Sequence, residues 1–235
     1  MNITKFLSVI GLSIVLAGCA NAEAPVPEDN TVPEEVTEED TELEENISDV
    51  EEKEEQTVGE GEKEKDKPDV AGPEEAADVV VNALQQKDMK TVSTFVHPTK
   101  GVRFSPYGYV REDVDKVFTA EEVEGLMEDE TVYTWGVFDG KGNPIEKTFA
   151  DYYERFVYDV DFANPEEKAV NERLGHGNTL DNTDEVYPNA TVVEYHFSGF
   201  EEQYDGMDWR SLRLVIEEKN DQWYLVGVIH DEWTI

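Results

Sequence analysis

Two histidines occupy positions from which acid–base chemistry could be run. His196 lies in the run ATVVEYHF, and His230 closes QWYLVGVIH with Asp231 directly after it. Imidazole titrates near neutrality, and a carboxylate beside it can orient the ring and stabilise its charged form. His196, His230 and Asp231 are therefore the candidate catalytic residues. The competing expectation is that the histidines are structural, hydrogen-bonded or partly exposed. GxSxG, HExxH, phosphate-loop and GxGxxG patterns are all missing, so nucleophilic hydrolysis and nucleotide chemistry lack support and no cofactor is expected.

Carboxylates are the other potential chemistry. Asp159 and Asp161 alternate, so on a strand they would face one way. Asp181, Asp184 and Glu185 fall in a polar stretch. Such oxygens could bind calcium weakly outside a cell, yet so acidic a chain clusters carboxylates by chance, and no metal site is expected. The Asp139–Asn143 segment, DGKGN, invites comparison with a calcium-binding loop. The third, sixth and twelfth positions hold Lys141, Pro144 and Ala150 instead of the required ligands and glycine. It reads as a hairpin turn.

The one cysteine, Cys19, carries different chemistry. Lys5 is followed by an apolar run from Phe6 to Leu16, then by Leu16-Ala17-Gly18-Cys19. The run is signal-peptide length, short of the roughly 20 residues of a membrane span. The sequence LAGC resembles the lipobox of bacterial lipoproteins. That resemblance implies a diacylglyceryl thioether on Cys19, cleavage after Gly18, and palmitate or a related acyl chain anchoring the protein to the outer face of a cell membrane. With no second cysteine, an internal disulfide and cysteine-based catalysis in the mature protein are excluded.

Charge then divides the chain. Residues 20–68 hold 20 acidic and 4 basic side chains and no aromatic residue. Such a segment cannot bury enough apolar surface to offset its ordering entropy, and its like charges extend it. The expected organisation is a signal peptide over 1–18, lipidated Cys19 with a disordered acidic linker to residue 68, and one globular domain over 69–235. All four Trp and all ten Tyr lie in that domain, which has a net charge of −22. Clustered Lys and Arg are absent, so nucleic acid is not an expected partner.

The elements that must position the candidates can be read from periodicity. Pro73 opens a helical run to about Gln86, and Asp88–Val96 reads as a second helix ended by His97-Pro98. Val102–Phe104 reads as a strand. Thr119 and Glu122 form a capping box ahead of a helix over Ala120–Met127. Thr131–Phe138 alternates as a strand, and Thr148 caps a helix in FADYYERFV. Residues 160–187 read as a long loop with a short helix near Pro165–Glu172. Three antiparallel strands close the chain, over Ala190–Phe197, Arg210–Glu217 and Gln222–His230. The expected fold class is α+β, with N-terminal helices packed on one face of a curved, mainly antiparallel sheet.

VHPTKGVRFSP after a helix pair, and WYLVGVIHDEW in the closing hairpin, resemble the nuclear transport factor 2-like cone fold. The ending DWRSLRLVIEEKNDQWYLVGVIHDEWTI is more narrowly similar to a group of bacterial lipoproteins without an assigned function. The resemblance spans roughly residues 73–235 and implies a pocket lined from the concave side of the sheet, with His97, Arg103, Tyr107 and Tyr109 near its mouth. With Trp135 as an aromatic wall, His97, Arg103 and Tyr107 are the candidate ligand-binding residues. The fold hosts enzymes, binders and scaffolds alike, so it does not select a reaction. The expectation is a membrane-anchored, non-enzymatic domain that binds a small molecule, glycan or envelope protein on that concave side. The alternatives are a cone-fold hydrolase or isomerase using a His–Asp pair, and a structural envelope protein.

Overall fold

A computed structural model describes residues 67–234. The signal peptide, Cys19 and nearly all of the acidic linker lie outside the described residues. The described chain is an α+β domain built on a mixed six-stranded sheet. Among the described residues, no helix is long and apolar enough to cross a membrane.

Helix α1 (Pro73–Gln85) begins with proline at its first turn and buries Ala76, Ala77, Val80, Val81, Ala83 and Leu84. Asp88 caps α2 (Met89–Phe95) by accepting from Thr91 N. Strand β1 (Val102–Ser105) pairs antiparallel with β2 (Lys116–Phe118). The expected capping box of Thr119 and Glu122 is present at α3 (Ala120–Gly125), which tightens into a 3-10 turn over Leu126–Glu128. A separate hairpin follows, β3 (Tyr133–Val137) with β4 (Pro144–Lys147). Thr148 caps α4 (Phe149–Phe156).

The stretch after α4 departs from expectation. Residues 158–161 are irregular, so Asp159 and Asp161 do not share a strand face. The helix expected near Pro165–Glu172 is a strand, β5 (Glu167–Val170), paired antiparallel along β6 (Thr191–Phe197). Local propensity loses here to a sheet edge with open hydrogen-bonding groups, and the charged Glu167 and Lys168 suit an exposed edge strand. A single helical turn, α5 (Thr183–Val186), lies later in the segment. Strands β7 (Arg210–Lys219) and β8 (Gln222–Glu232) form the long closing hairpin. The sheet order is β2-β1-β8-β7-β6-β5, and only the β1–β8 pairing is parallel.

Strand alternation gives the sheet two unlike faces. Val193, Tyr195, Leu212, Leu214, Ile216, Leu225 and Val228 meet the helices in the main core. Trp135 of the hairpin joins that core, stacked on Tyr152 at 3.8 Å between ring centroids. The opposite face carries Val215, Val226 and Ile229, buried with Val110 and covered by Val186, Tyr187 and Ala190. The segment after β5 thus works as a cover over the second face, a role that only long-range packing assigns to it. A bulge near Val215 and Ile216 places the extra Val226 opposite the β7 strand.

Candidate functional site

The two histidines do not converge. His230 and Asp231 are neighbours on β8, so alternation sends them to opposite faces. His230 is fully buried on the helix side, its Nε2 3.2 Å from Asp159 Oδ1 and its ring edge-on to Phe156. Asp231 faces the other side, where Arg213 and Arg173 donate to its Oδ2 at 2.5 and 3.0 Å. His196 also faces that side, with Nδ1 2.8 Å from Ser211 Oγ. In the register, His196 opposes Ser211 and Ser211 opposes Asp231, so the imidazole and that carboxylate stand two strands apart. The sequence-adjacent His–Asp dyad is therefore replaced by a pairing of His230 with Asp159, a residue from the irregular turn after α4.

Each histidine sits in an ion network. On the helix side, Arg210 Nε lies 2.9 Å from Asp159 Oδ2 and 3.3 Å from Glu232 Oε2, and Arg155 pairs with Glu232. Burial alone would raise the Asp159 carboxyl, but His230 and Arg210 outweigh it and hold it below the usual range. The ligand atoms of Asp159, His230 and Glu232 fall within 4.8 Å of one another, a spacing a metal ion could use. Both carboxylates are already neutralised by guanidinium groups, which would repel a cation, so the donor set fits an ion-paired cluster better than a metal centre. On the opposite face, Arg213 is 2% exposed and bridges Glu194 and Asp231. Glu194 also accepts from the backbone N–H groups of Leu174 and Gly175, tying the covering segment to the sheet.

Of the ligand-binding candidates, His97 and Arg103 lie apart, whereas Tyr107 and Trp135 line one cleft. His97 Nδ1 accepts from Thr99 N and Lys100 N at 3.2 and 2.9 Å, organising the turn after α2. Burial lowers its basicity, helped by Lys219 and Lys100. Arg103 donates to the carbonyls of Glu112 and Asp115 and lines a different depression, beside Lys100 and Tyr187. Trp135 is buried, donates its indole N–H to Lys147 O, and backs the cleft in which Tyr107 stands together with Tyr109.

That cleft, about 440 Å³ in volume, opens between residues 106–115 and the β3–β4 hairpin. Its lining includes Tyr107, Tyr109, Arg111, Asp115, Phe138 and Asp139. The first wall is held from behind. Gly108 packs on Asp231, and the Asn182 side chain both accepts from Val110 N and donates to Val110 O, at 2.8 and 2.9 Å. The two walls touch where Asp139 N donates to the Tyr107 hydroxyl at 3.3 Å. Behind them, Phe156 contacts Tyr107, Phe138 and His230, and so separates the cleft from the histidine.

Asp115 is the unusual group of the cleft. It is 7% exposed. Its Oδ2 accepts from Ser105 Oγ at 2.6 Å and from Arg111 N at 2.8 Å, whereas Oδ1 has no hydrogen-bond partner among the described residues. Burial pushes its carboxyl up to about 6, against the Ser105 and Arg111 hydrogen bonds and the charges of Arg103 and Arg111. A carboxylate this desolvated is costly to ionise, and such groups concentrate at binding and reactive sites. Sequence reasoning missed it because Asp115 sits in REDVDKV, where nothing marks one acidic residue above the others. The helix-facing side of the sheet, by contrast, is filled by core side chains, and the cleft lies beyond it at the end of the strands.

Compared with protein-family models, curated proteins and solved structures, the chain matches none of them.

Proposed function

We propose that this chain is an extracytoplasmic lipoprotein, tethered through Cys19, whose domain is a non-enzymatic binding module taking a small ligand in the cleft walled by Tyr107, Tyr109 and Phe138. The observation that carries the reading is Asp115, a nearly buried carboxylate with one unpartnered oxygen on the lining of a cleft of small-molecule size. A helix pair followed by a six-stranded sheet with a helix-covered face supports the cone-like reading of the fold. The enzyme alternative is weakened because His230 is fully buried behind Phe156.

The lipobox-like LAGC motif supports the tether. Lys67, at the end of the acidic linker, joins the domain away from the cleft. Its ammonium donates to Trp223 O and lies 3.5 Å from the centroid of the Tyr224 ring, at the start of β8. The cleft wall seats on Asp231 near the other end of that strand, about 23 Å from Tyr224 at 3.3 Å per residue.

Two experiments test this. Cys19→Ser should move the protein from the membrane fraction to the soluble one and abolish incorporation of a labelled fatty acid; unchanged partitioning overturns the tether. For the cleft, ligand-detected NMR with a fragment library should find binders whose signal is lost in Val137→Trp. Val137 lines the cleft and is 41% exposed, so the indole would fill the cleft without disturbing the core. If Val137→Trp binds the same fragments unchanged, the cleft reading is wrong.

A further inference from the structure

Resting on that reading, we infer that the ligand of the cleft carries a protonated amine, which Asp115 Oδ1 receives while Tyr107, Tyr109 and Phe138 wall its apolar part. Oδ1 has no protein donor among the described residues and is free to accept one from a ligand. Oδ2 is saturated by Ser105 and Arg111 N–H, so the incoming group meets an acceptor with an open direction on the lining. A charged donor forms a bond to a carboxylate roughly twice as strong as a neutral one. The surroundings favour a cation for two further reasons. Four aromatic residues, Tyr107, Tyr109, Trp135 and Phe138, line the space, and aromatic faces attract cations through their quadrupoles. Two carboxylates, Asp115 and Asp139, face one guanidinium, Arg111, in a domain whose net charge is −22. An anionic ligand would have to approach against that field and leave Oδ1 without a donor.

Three probes of one shape separate the possibilities: 2-phenylethylamine, 2-phenylethanol and 3-phenylpropionate, each titrated into the full chain at pH 7.5 by calorimetry or NMR. The amine is expected to bind at least tenfold more tightly than the alcohol, and the carboxylate more weakly than either. In Asp115→Asn, which keeps an acceptor for Ser105 and Arg111 N–H, the amine should lose that tenfold advantage over the alcohol. The advantage should also shrink as pH falls below about 6, where Asp115 takes up its proton. The charged groups acting on it are Arg103 from β1 and Arg111 from its own turn, and the Tyr152 and Tyr187 hydroxyls feel its charge from the two flanking layers. If fragments are lost in Val137→Trp but the amine binds no better than the alcohol, the amine assignment falls and the cleft survives. An amine advantage that persists in Asp115→Asn also overturns the assignment. If no probe or fragment depends on Val137, both readings fall together.

Discussion

Gly108 lies so close to Asp231 that a β-carbon built on it would stand 2.5 Å from Asp231 Oδ2. The backbone that carries Tyr107 and Tyr109 into the cleft is thereby seated on the buried ion network of the opposite sheet face. That network joins Arg213, Asp231, Arg173 and Glu194. The cleft and the network form one mechanical unit, with glycine as the contact because no side chain fits.

Gly108→Ala follows from that contact. The methyl group must push Asp231 away from Arg213 or lift the 106–115 segment. We expect a loss of about 1–3 kcal/mol, as for other overpacked sites, measured by urea unfolding. An unchanged midpoint would show that the seat is looser than the contact implies.

Arg213 offers a sharper test. Arg213→Met leaves Glu194 and Asp231 buried with less compensating charge, which should cost about 3–5 kcal/mol. Arg213→Met combined with Asp231→Leu should be less destabilised than the sum of the single changes by more than about 1 kcal/mol, since an apolar pair can replace a buried ion pair. A double-mutant cycle that closes to zero would mean the two groups act independently.

Asp115 makes a pH-dependent prediction. Its folded-state value, about 6, lies above the ordinary 3.8, so the folded chain holds this proton more tightly than the unfolded chain. Ionised Asp115 therefore costs stability above pH 6, and the cost is withdrawn as pH falls from about 6 toward 4. At 1.36 kcal/mol per pKa unit the cost approaches about 3 kcal/mol at most. Asp115→Asn should accordingly stabilise the domain at pH 8 by about 1–3 kcal/mol, with the difference fading near pH 4. Thermal unfolding of both proteins across that range reads it directly, and a destabilised variant at pH 8 contradicts it.

Asn182 clamps the cleft wall through two hydrogen bonds to Val110. Asn182→Ala should cost about 1–3 kcal/mol by leaving buried backbone groups unpaired. It should also speed amide exchange at Val110 more than in the β7–β8 hairpin. Equal acceleration in both places would point to global loosening.

Much of this domain was legible in local sequence. Helix starts at Pro73, Thr119 and Thr148, and the closing hairpin with Leu212, Leu214 and Ile216 on one face, depend on caps and periodicities that act within a few residues. The charge segregation and the cysteine count are also properties of the chain alone. Tertiary structure decided the rest. Strand β5 exists because the β6 edge was open to it, and β2 and β4 are three and four residues long, too short to show a period. That Asp159 and not Asp231 meets His230, and that Asp115 is buried beside a serine while Glu194 and Asp231 are buried against Arg213, depends on which distant segments fold over them. Alternation can exclude a neighbour on the same strand, but it cannot name a partner 71 residues away. Desolvation is a property of the surroundings, and 36 acidic residues of one formal charge in the domain become different chemical groups only once the chain has packed around them.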